Sequence, residues 1–193
     1  MTFKKAVLAT ALLTISTMAA AELKVDVYHA NPNSFSVTST LVTGEKEAIL
    51  IDSGFTRADA LRIAAKVLDS NKTLTTILVS QADPDYYFGV ETLKSIFPDV
   101  NVVTTPAVLA KIEAKLHTKL KTWSPKMGAN APSKPVLPKV LSNNNLILEG
   151  ETLEIRGTTG VLAHRPYVWI PSIKTITGNI GVFGNMNVWT ADT

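Results

Sequence analysis

Apolar and polar residues alternate over residues 23–28 and again over 34–42, where Phe35 and Val37 share a face; both stretches predict strands of a half-buried sheet. A Gly44-Glu45-Lys46 turn leads into Ala48-Ile49-Leu50-Ile51, whose unbroken apolar run suits a strand covered on both sides. Thr56 follows as an N-cap, with Asp59 three residues on as its capping-box partner. Leu61, Ala64, Ala65 and Leu68 then recur at helical spacing. Residues 74–79 predict a strand, 87–96 a short helix and 101–104 another strand. Thr105-Pro106 opens a helix with proline at its first position, and Leu109, Ile112, Leu116 and Leu120 lie on one side of it.

Residues 123–138 break this rhythm with Pro125, Pro132, Pro135 and Pro138, which predicts a long irregular loop bordering the functional groove. Two hairpins come next, one turning at Glu149-Gly150 and one at Pro171-Ser172-Ile173. Strand–helix–strand units followed by hairpins, with no internal repeat, point to an α/β protein of two packed sheets.

The first 21 residues have the layout of a secretory signal: Lys4 and Lys5, an apolar run from Ala6 to Ile15, and Ala19-Ala20-Ala21 before Glu22. This predicts a cleaved leader, a single domain over residues 22–193, and a periplasmic or secreted location. The chain has 19 basic and 16 acidic residues, formally +3; without Lys4 and Lys5 the balance is 17 to 16, or +1. So near-neutral a chain has no basic footprint for nucleic acid. Lys111, Lys115, Lys119 and Lys121 accordingly read as the solvated face of their helix rather than an anion-binding stripe. No later stretch is apolar for long enough to span a membrane. Cysteine is absent, so a soft-metal site would rest on the three histidines.

Candidate chemistry sits after the third and fourth predicted strands. The first of these ends in Asp52-Ser53-Gly54; the second runs into Ser80-Gln81-Ala82-Asp83-Pro84-Asp85-Tyr86. That order resembles the metallo-β-lactamase-fold superfamily, where a strand ending in Asp-x-Gly precedes a helix, a strand and a Ser/Thr-His-x-His-x-Asp-His loop. The resemblance implies an αβ/βα sandwich, two mixed sheets flanked by helices. It also implies two zinc ions that activate a bridging water.

Residue by residue, the histidine positions are taken by Gln81, Asp83 and Tyr86, and only Asp85 is kept. Gln81 offers a neutral carbonyl and Asp83 a harder oxygen, while Tyr86 would have to lose a proton of pKa about 10. Counting back from Ile170-Pro171 puts the family's third histidine near Val161, leaving His164 as a stand-in only if the turn is remodelled. Asn179, after Thr177-Gly178, replaces the bridging aspartate, and Asp52 is carried over as a supporting acid. Metal candidates reduce to Asp83, Asp85 and His164, with Asp85 catalytic if the protein is active; zinc is expected to bind weakly or not at all. Alternatively, Asp83 and Asp85 cap the helix starting near Tyr86.

Three functions stay open: a ligand- or partner-binding protein that uses Gln81, Asp83, Asp85, Tyr86 and Asn179 as a groove, a metal-dependent hydrolase with an oxygen-rich site, or a vestigial product. The ligand is unspecified, a small molecule or a protein. The family's further helix and strand have no counterpart before Thr193, so the fold is expected to be incomplete at the C-terminus and prone to self-association.

Overall fold

A computed structural model describes residues 22–178. The leader and Asn179 lie outside the described residues. Six strands form the first sheet: β1 (Lys24–His29), β2 (Thr38–Thr43), β3 (Glu47–Ile51), β4 (Thr73–Leu78), β5 (Asn101–Thr104) and β6 (Lys139–Val140), in that spatial order. β1 to β3 pair antiparallel and β3 to β6 parallel, because the last three pairings are crossover units. The second sheet is an antiparallel meander of β7 (Asn145–Leu148), β8 (Glu151–Arg156), β9 (Tyr167–Ile170) and β10 (Thr175–Thr177).

Two apolar layers hold these parts together. Val42, Ile49, Ile51 and Leu78 on one face of the first sheet interlock with Leu148, Leu153, Ile155, Val168 and Ile170 of the second. The opposite face, with Leu41, Ala48, Leu50, Ile77 and Val79, is covered by α1 (Arg57–Asp69), α3 (Val90–Ile96) and α4 (Pro106–Met127); a single turn, α2 (Pro84–Tyr87), precedes α3. The described layers therefore run helices, sheet, sheet. A carboxylate ties the two sheets at one end, where Glu149 in the β7–β8 turn accepts the N–H groups of Glu45, Lys46 and Glu47 at 2.7, 2.5 and 2.7 Å.

Several elements differ from the sequence expectation. The strand expected from residue 34 begins only at Thr38, because the chain turns through Pro32–Ser34 and holds Phe35 and Ser36 at positive φ. Phe35 leaves the sheet to pack against Phe55 and Trp123, at ring separations of 5.2 and 5.3 Å.

Helix α1 is rotated: Ala60, Ile63, Ala64 and Val67 face the core, while Leu61 and Leu68 are exposed. Its capping box explains the rotation. Thr56 and Asp59 cap reciprocally as expected, but Asp59 is also buried and accepts the hydroxyls of Tyr28 at 2.7 Å and Ser34 at 2.6 Å. Those two bonds turn residues 59, 60, 63, 64 and 67 inward together.

Helix α4 runs through Trp123 and Pro125 to Met127, against the expected loop. Pro125 lies in the last turn, where its missing N–H frees only the carbonyl of Lys121, an exposed residue. The buried side is led by Val108 and Ile112, with Leu116, Leu120, Trp123 and Met127 packed beside them.

Candidate functional site

The parallel strands of the first sheet end together, and open α/β sheets bind ligands at such ends. Asp52 lies just past β3, fully buried, at φ 65°. Its carboxylate accepts the Ser80 N–H at 2.8 Å and the Ser80 hydroxyl at 2.7 Å, and its own N–H donates to Leu78 at 2.8 Å. Asp52 thus fixes the loop after β4 from below. On the other side the Thr104 hydroxyl donates to Val79 O at 2.6 Å, so this loop is held by both neighbouring strands.

A second backbone contact shapes the loop. The N–H and hydroxyl of Ser53 both donate to Tyr86 O, at 2.9 and 3.0 Å, and Gly89 N–H donates to Gly54 O at 3.1 Å. A Cβ on Gly89 would stand 2.0 Å from Ser53 O, so only glycine permits this approach. The helix expected over residues 87–96 is divided here into α2 and α3.

Within this frame Gln81 is buried, 1% exposed, and its Nε2 has no hydrogen-bond partner. Asp83 begins α2 but caps nothing; its carboxylate instead accepts Lys119 from α4 at 2.9 Å, so the capping alternative does not hold for this residue. Asp85 is half-buried in dense surroundings, and desolvation pushes its carboxyl up to about 7; the Asp83 charge adds to this, while its own N–H and Lys119 act the other way. Tyr86 is buried, and burial together with Asp85, Asp52 and Asp83 raises its hydroxyl far above the ordinary range. Tyr87, one residue on, is fully buried with an unpartnered hydroxyl.

Gln81, Ala82 and Asp83 line a cavity of about 10 Å³ together with Lys111, Lys115, His164 and Arg165. It holds roughly one water molecule. His164 and Arg165 arrive on the turn between β8 and β9, closed by the bonds from Ala163 N–H to Gly160 O and from Arg165 N–H to Leu162 O. Val161, the position counted for the family's third histidine, is 93% exposed, whereas His164 lines the cavity. Partial burial and the charges of Lys111, Arg165 and Lys115 lower the His164 pKa, so its imidazole is neutral at pH 7.

The structure thus brings Asp52, Gln81, Asp83, Asp85, Tyr86 and His164 to one end of the sheets; Asn179 lies outside the described residues. His29 and His117 are exposed and play no part in it. Sequence reasoning missed the lysines. Three of the four expected on a solvated face lie beside the site, with only Lys121 exposed, and their spacing of four residues was the available signal. The expected border also changes. Residues 129–133 line a separate groove of about 490 Å³ with Arg57, Phe88 and Glu91, because Asn130 accepts the Ala58 N–H and Glu91 accepts the Ser133 hydroxyl and the Lys134 N–H.

The family model described as the metallo-beta-lactamase superfamily matches residues 33–171, more than half of the chain. The protein belongs to that superfamily. Among solved structures it is similar to the BLEG-1 B3 metallo-beta-lactamase, with a TM-score of 0.64, 14% identity, and coverage of 87% of this chain and 77% of that one. A metallo-beta-lactamase family protein from Thermus thermophilus gives a TM-score of 0.62 at 16% identity, covering 85% and 60%. A HARLDQ-motif mutant of a metallo-beta-lactamase from Cronobacter sakazakii gives 0.52 at 22% identity, covering 72% and 55%. The chain therefore spans between 55 and 77% of these three structures. No curated protein matches it. Among the described residues no helix is long and apolar enough to cross a membrane.

The residues present do not fit a pair of zinc ions. Asp83 is taken by Lys119, the Asp52 carboxylate by Ser80, and Asp85 and Tyr86 are pushed toward their protonated forms. Among the described residues no three histidine, aspartate or glutamate side chains are grouped to hold a metal. One neutral imidazole, His164, is not enough for a site of that kind.

Proposed function

We propose that this protein binds a ligand at the C-terminal ends of its parallel strands and does not carry out metal-dependent hydrolysis there. One observation carries the reading: Asp83, at a position the superfamily gives to a metal-binding histidine, is engaged by Lys119 at 2.9 Å. A cation entering here would have to displace an ammonium group and then face Lys111, Lys115 and Arg165. The neighbouring buried amide of Gln81, with an uncommitted nitrogen, is suited to hydrogen-bonding a guest. The signal-like first 21 residues support removal of a leader before Glu22 and a site of action in the periplasm or outside the cell.

The test is elemental analysis of the exported, purified protein, with hydrolysis assays on a panel of lactams and esters and mass spectrometry of its N-terminus. Expected are well under one zinc per chain, no turnover, and a chain starting at Glu22. Two zinc ions per chain with turnover would overturn the binding reading, and an intact Met1 would overturn export. The second reading is an active metal-dependent hydrolase using Gln81, Asp83, Asp85 and His164. It is favoured by the neutral His164 imidazole on the same cavity as Gln81 and Asp83.

A further inference from the structure

We infer that Glu149 is an internal latch: its carboxylate, seated in the β2–β3 turn, holds the second sheet against the first in the alignment that keeps the two halves of the site together. This goes beyond the ligand-binding reading and does not depend on it, since it concerns the shape of the site whatever the guest. The cavity is composite. Gln81, Ala82 and Asp83 come from the first sheet, Lys111 and Lys115 from α4, and His164 and Arg165 from the β8–β9 turn of the second sheet. Both sheets lead from the latch to the site: β3 runs from Glu47 to Ile51 and on to Asp52, and β8 from Glu151 to Arg156 and on to that turn. These strands reach about 16–20 Å. A small tilt at the latch is therefore a larger displacement at the cavity.

The seat is built for a carboxylate. Glu45, Lys46 and Glu47 turn three successive N–H groups toward it, at 2.7, 2.5 and 2.7 Å. Gly44 leaves the room, since a Cβ there would stand 2.7 Å from Glu149 Oε2 and 2.8 Å from its Cδ. Lys72, whose ammonium donates to Glu45 O, adds a positive charge beside it. The Lys46 N–H foremost, then those of Glu45 and Glu47 and the Lys72 charge, outweigh desolvation and hold the Glu149 carboxyl below its ordinary value.

The turn shows that this side chain serves by its reach. Leu148 pairs with Glu151, so Glu149 and Gly150 form a two-residue turn, with φ of 50° and 89°. Such turns favour Asn-Gly, and a glutamate is strained in the left-handed region. The bonds to the other sheet offset that strain. Apolar side chains fill the space between the sheets, but hydrophobic attraction has no direction. Nearer the site one neutral bond crosses, between the Thr40 and Thr177 hydroxyls at 2.8 Å. Charge-assisted bonds are each about twice as strong as neutral ones, so of these two links Glu149 is the stronger.

The decisive variant is Glu149→Asn in the full-length protein. It supplies the residue the turn favours, so the hairpin keeps its shape, while the shorter, uncharged side chain gives up the seat. The chain has no cysteine, so spin labels can be placed uniquely at Asn145→Cys on β7 and Lys121→Cys on α4, both exposed. Pulsed electron paramagnetic resonance measures the distance between the labels, and NMR of the unlabelled chain follows the His164 ring. The parent should give one narrow distance. In Glu149→Asn that distance should shift or broaden and the His164 signal should move or split, with a cooperative urea transition showing that the chain is folded. Gly44→Ala, which crowds the carboxylate out of its seat, should do the same. Glu154→Gln, on the same hairpin but paired with Arg156, should change neither signal. A folded Glu149→Asn that keeps the parent's distance or its His164 signal overturns the inference and leaves Glu149 as an aid to stability alone. A broad distance distribution in the parent, or an equal effect from Glu154→Gln, overturns it too. If Glu149→Asn does not fold, Gly44→Ala decides by the same two signals.

Discussion

Lys119 and Asp83 meet at 2.9 Å across the gap between α4 and the start of α2, with 25 and 31% of their side chains exposed. A pair this accessible stabilises a fold by about 0–1 kcal/mol. Its consequence is chemical: the carboxylate best placed to attract a cation already has one, supplied by a helix that also carries Lys111 and Lys115 to the same cavity.

Restoring histidines should therefore not restore the metal. Gln81→His, Asp83→His and Tyr86→His together supply three imidazoles but leave the lysines in place, so zinc should bind only weakly. Adding Lys119→Gln should then strengthen zinc binding about tenfold, since one positive charge near a divalent ion is removed. Competition against a chromophoric chelator measures this. Equal affinities with and without Lys119 would show that the loop, not the charge, keeps zinc out.

Asp85 provides a pH dependence whose sign is fixed. Burial pushes its carboxyl up to about 7, against about 4 in an unfolded chain, so the folded protein binds more protons between those limits. Stability should fall as pH rises through that window and level off above about 7. Asp85→Asn stays neutral throughout. Its Tm should match the parent near pH 4 and exceed it near pH 8 by about 2–4 °C, or roughly 1 kcal/mol after allowance for partial exposure. Parallel Tm curves for the two proteins would show that Asp85 is ionised in the folded state at neutral pH.

Asp59 behaves in the opposite way. Burial alone would raise its pKa, but hydrogen bonds from Ser34, Thr56 and Tyr28 outweigh that and hold it below the usual carboxylate range. Its stabilising contribution is full above the unfolded value and is lost as pH falls through the lower, folded one. Asp59→Ala removes the α1 capping box and strands the Tyr28 and Ser34 hydroxyls, for an expected loss of about 2–4 kcal/mol at pH 7. Urea unfolding at pH 7 and again near pH 3 should show the parent–variant gap narrowing in acid.

Much of this was legible in the sequence where the signal is local. The Thr56–Asp59 box, the proline start of α4, the Glu149-Gly150 turn and the Asp52-Ser53-Gly54 and Gln81 to Tyr86 segments carry their own spacing and lie where that spacing puts them. Misreadings arose where a distant partner decides. Leu61 and Leu68 lie at helical spacing yet face solvent, because Tyr28 and Ser34 set the rotation of α1 through Asp59. Asp83 has the sequence context of a cap but is claimed by Lys119, 36 residues away. Lys111 and Lys115 looked like a solvated face because their companions, His164 and Arg165, come from the other sheet.

Gly89 offers the sharpest test of the frame that positions the site. Its φ is −69°, a conformation any residue adopts, so the demand for glycine is one of space alone. An alanine Cβ would lie 2.0 Å from Ser53 O, 2.9 Å from Ser53 C and 3.0 Å from the Ala60 Cβ. Those first two neighbours are backbone and cannot swing aside, so the α2–α3 junction must separate from the Ser53-Gly54 turn and lose the bonds to Tyr86 O and Gly54 O. Gly89→Ala should cost about 3 kcal/mol or more, at the upper end for overpacking. Gly150→Ala is the contrasting variant: at φ 89° with nothing within 4 Å, it meets conformational strain without collision and should cost about 1–2 kcal/mol. Urea denaturation of both separates the two causes. If Gly89→Ala proves the milder substitution, Ser53 and Gly89 are not in the contact that holds the loop in place.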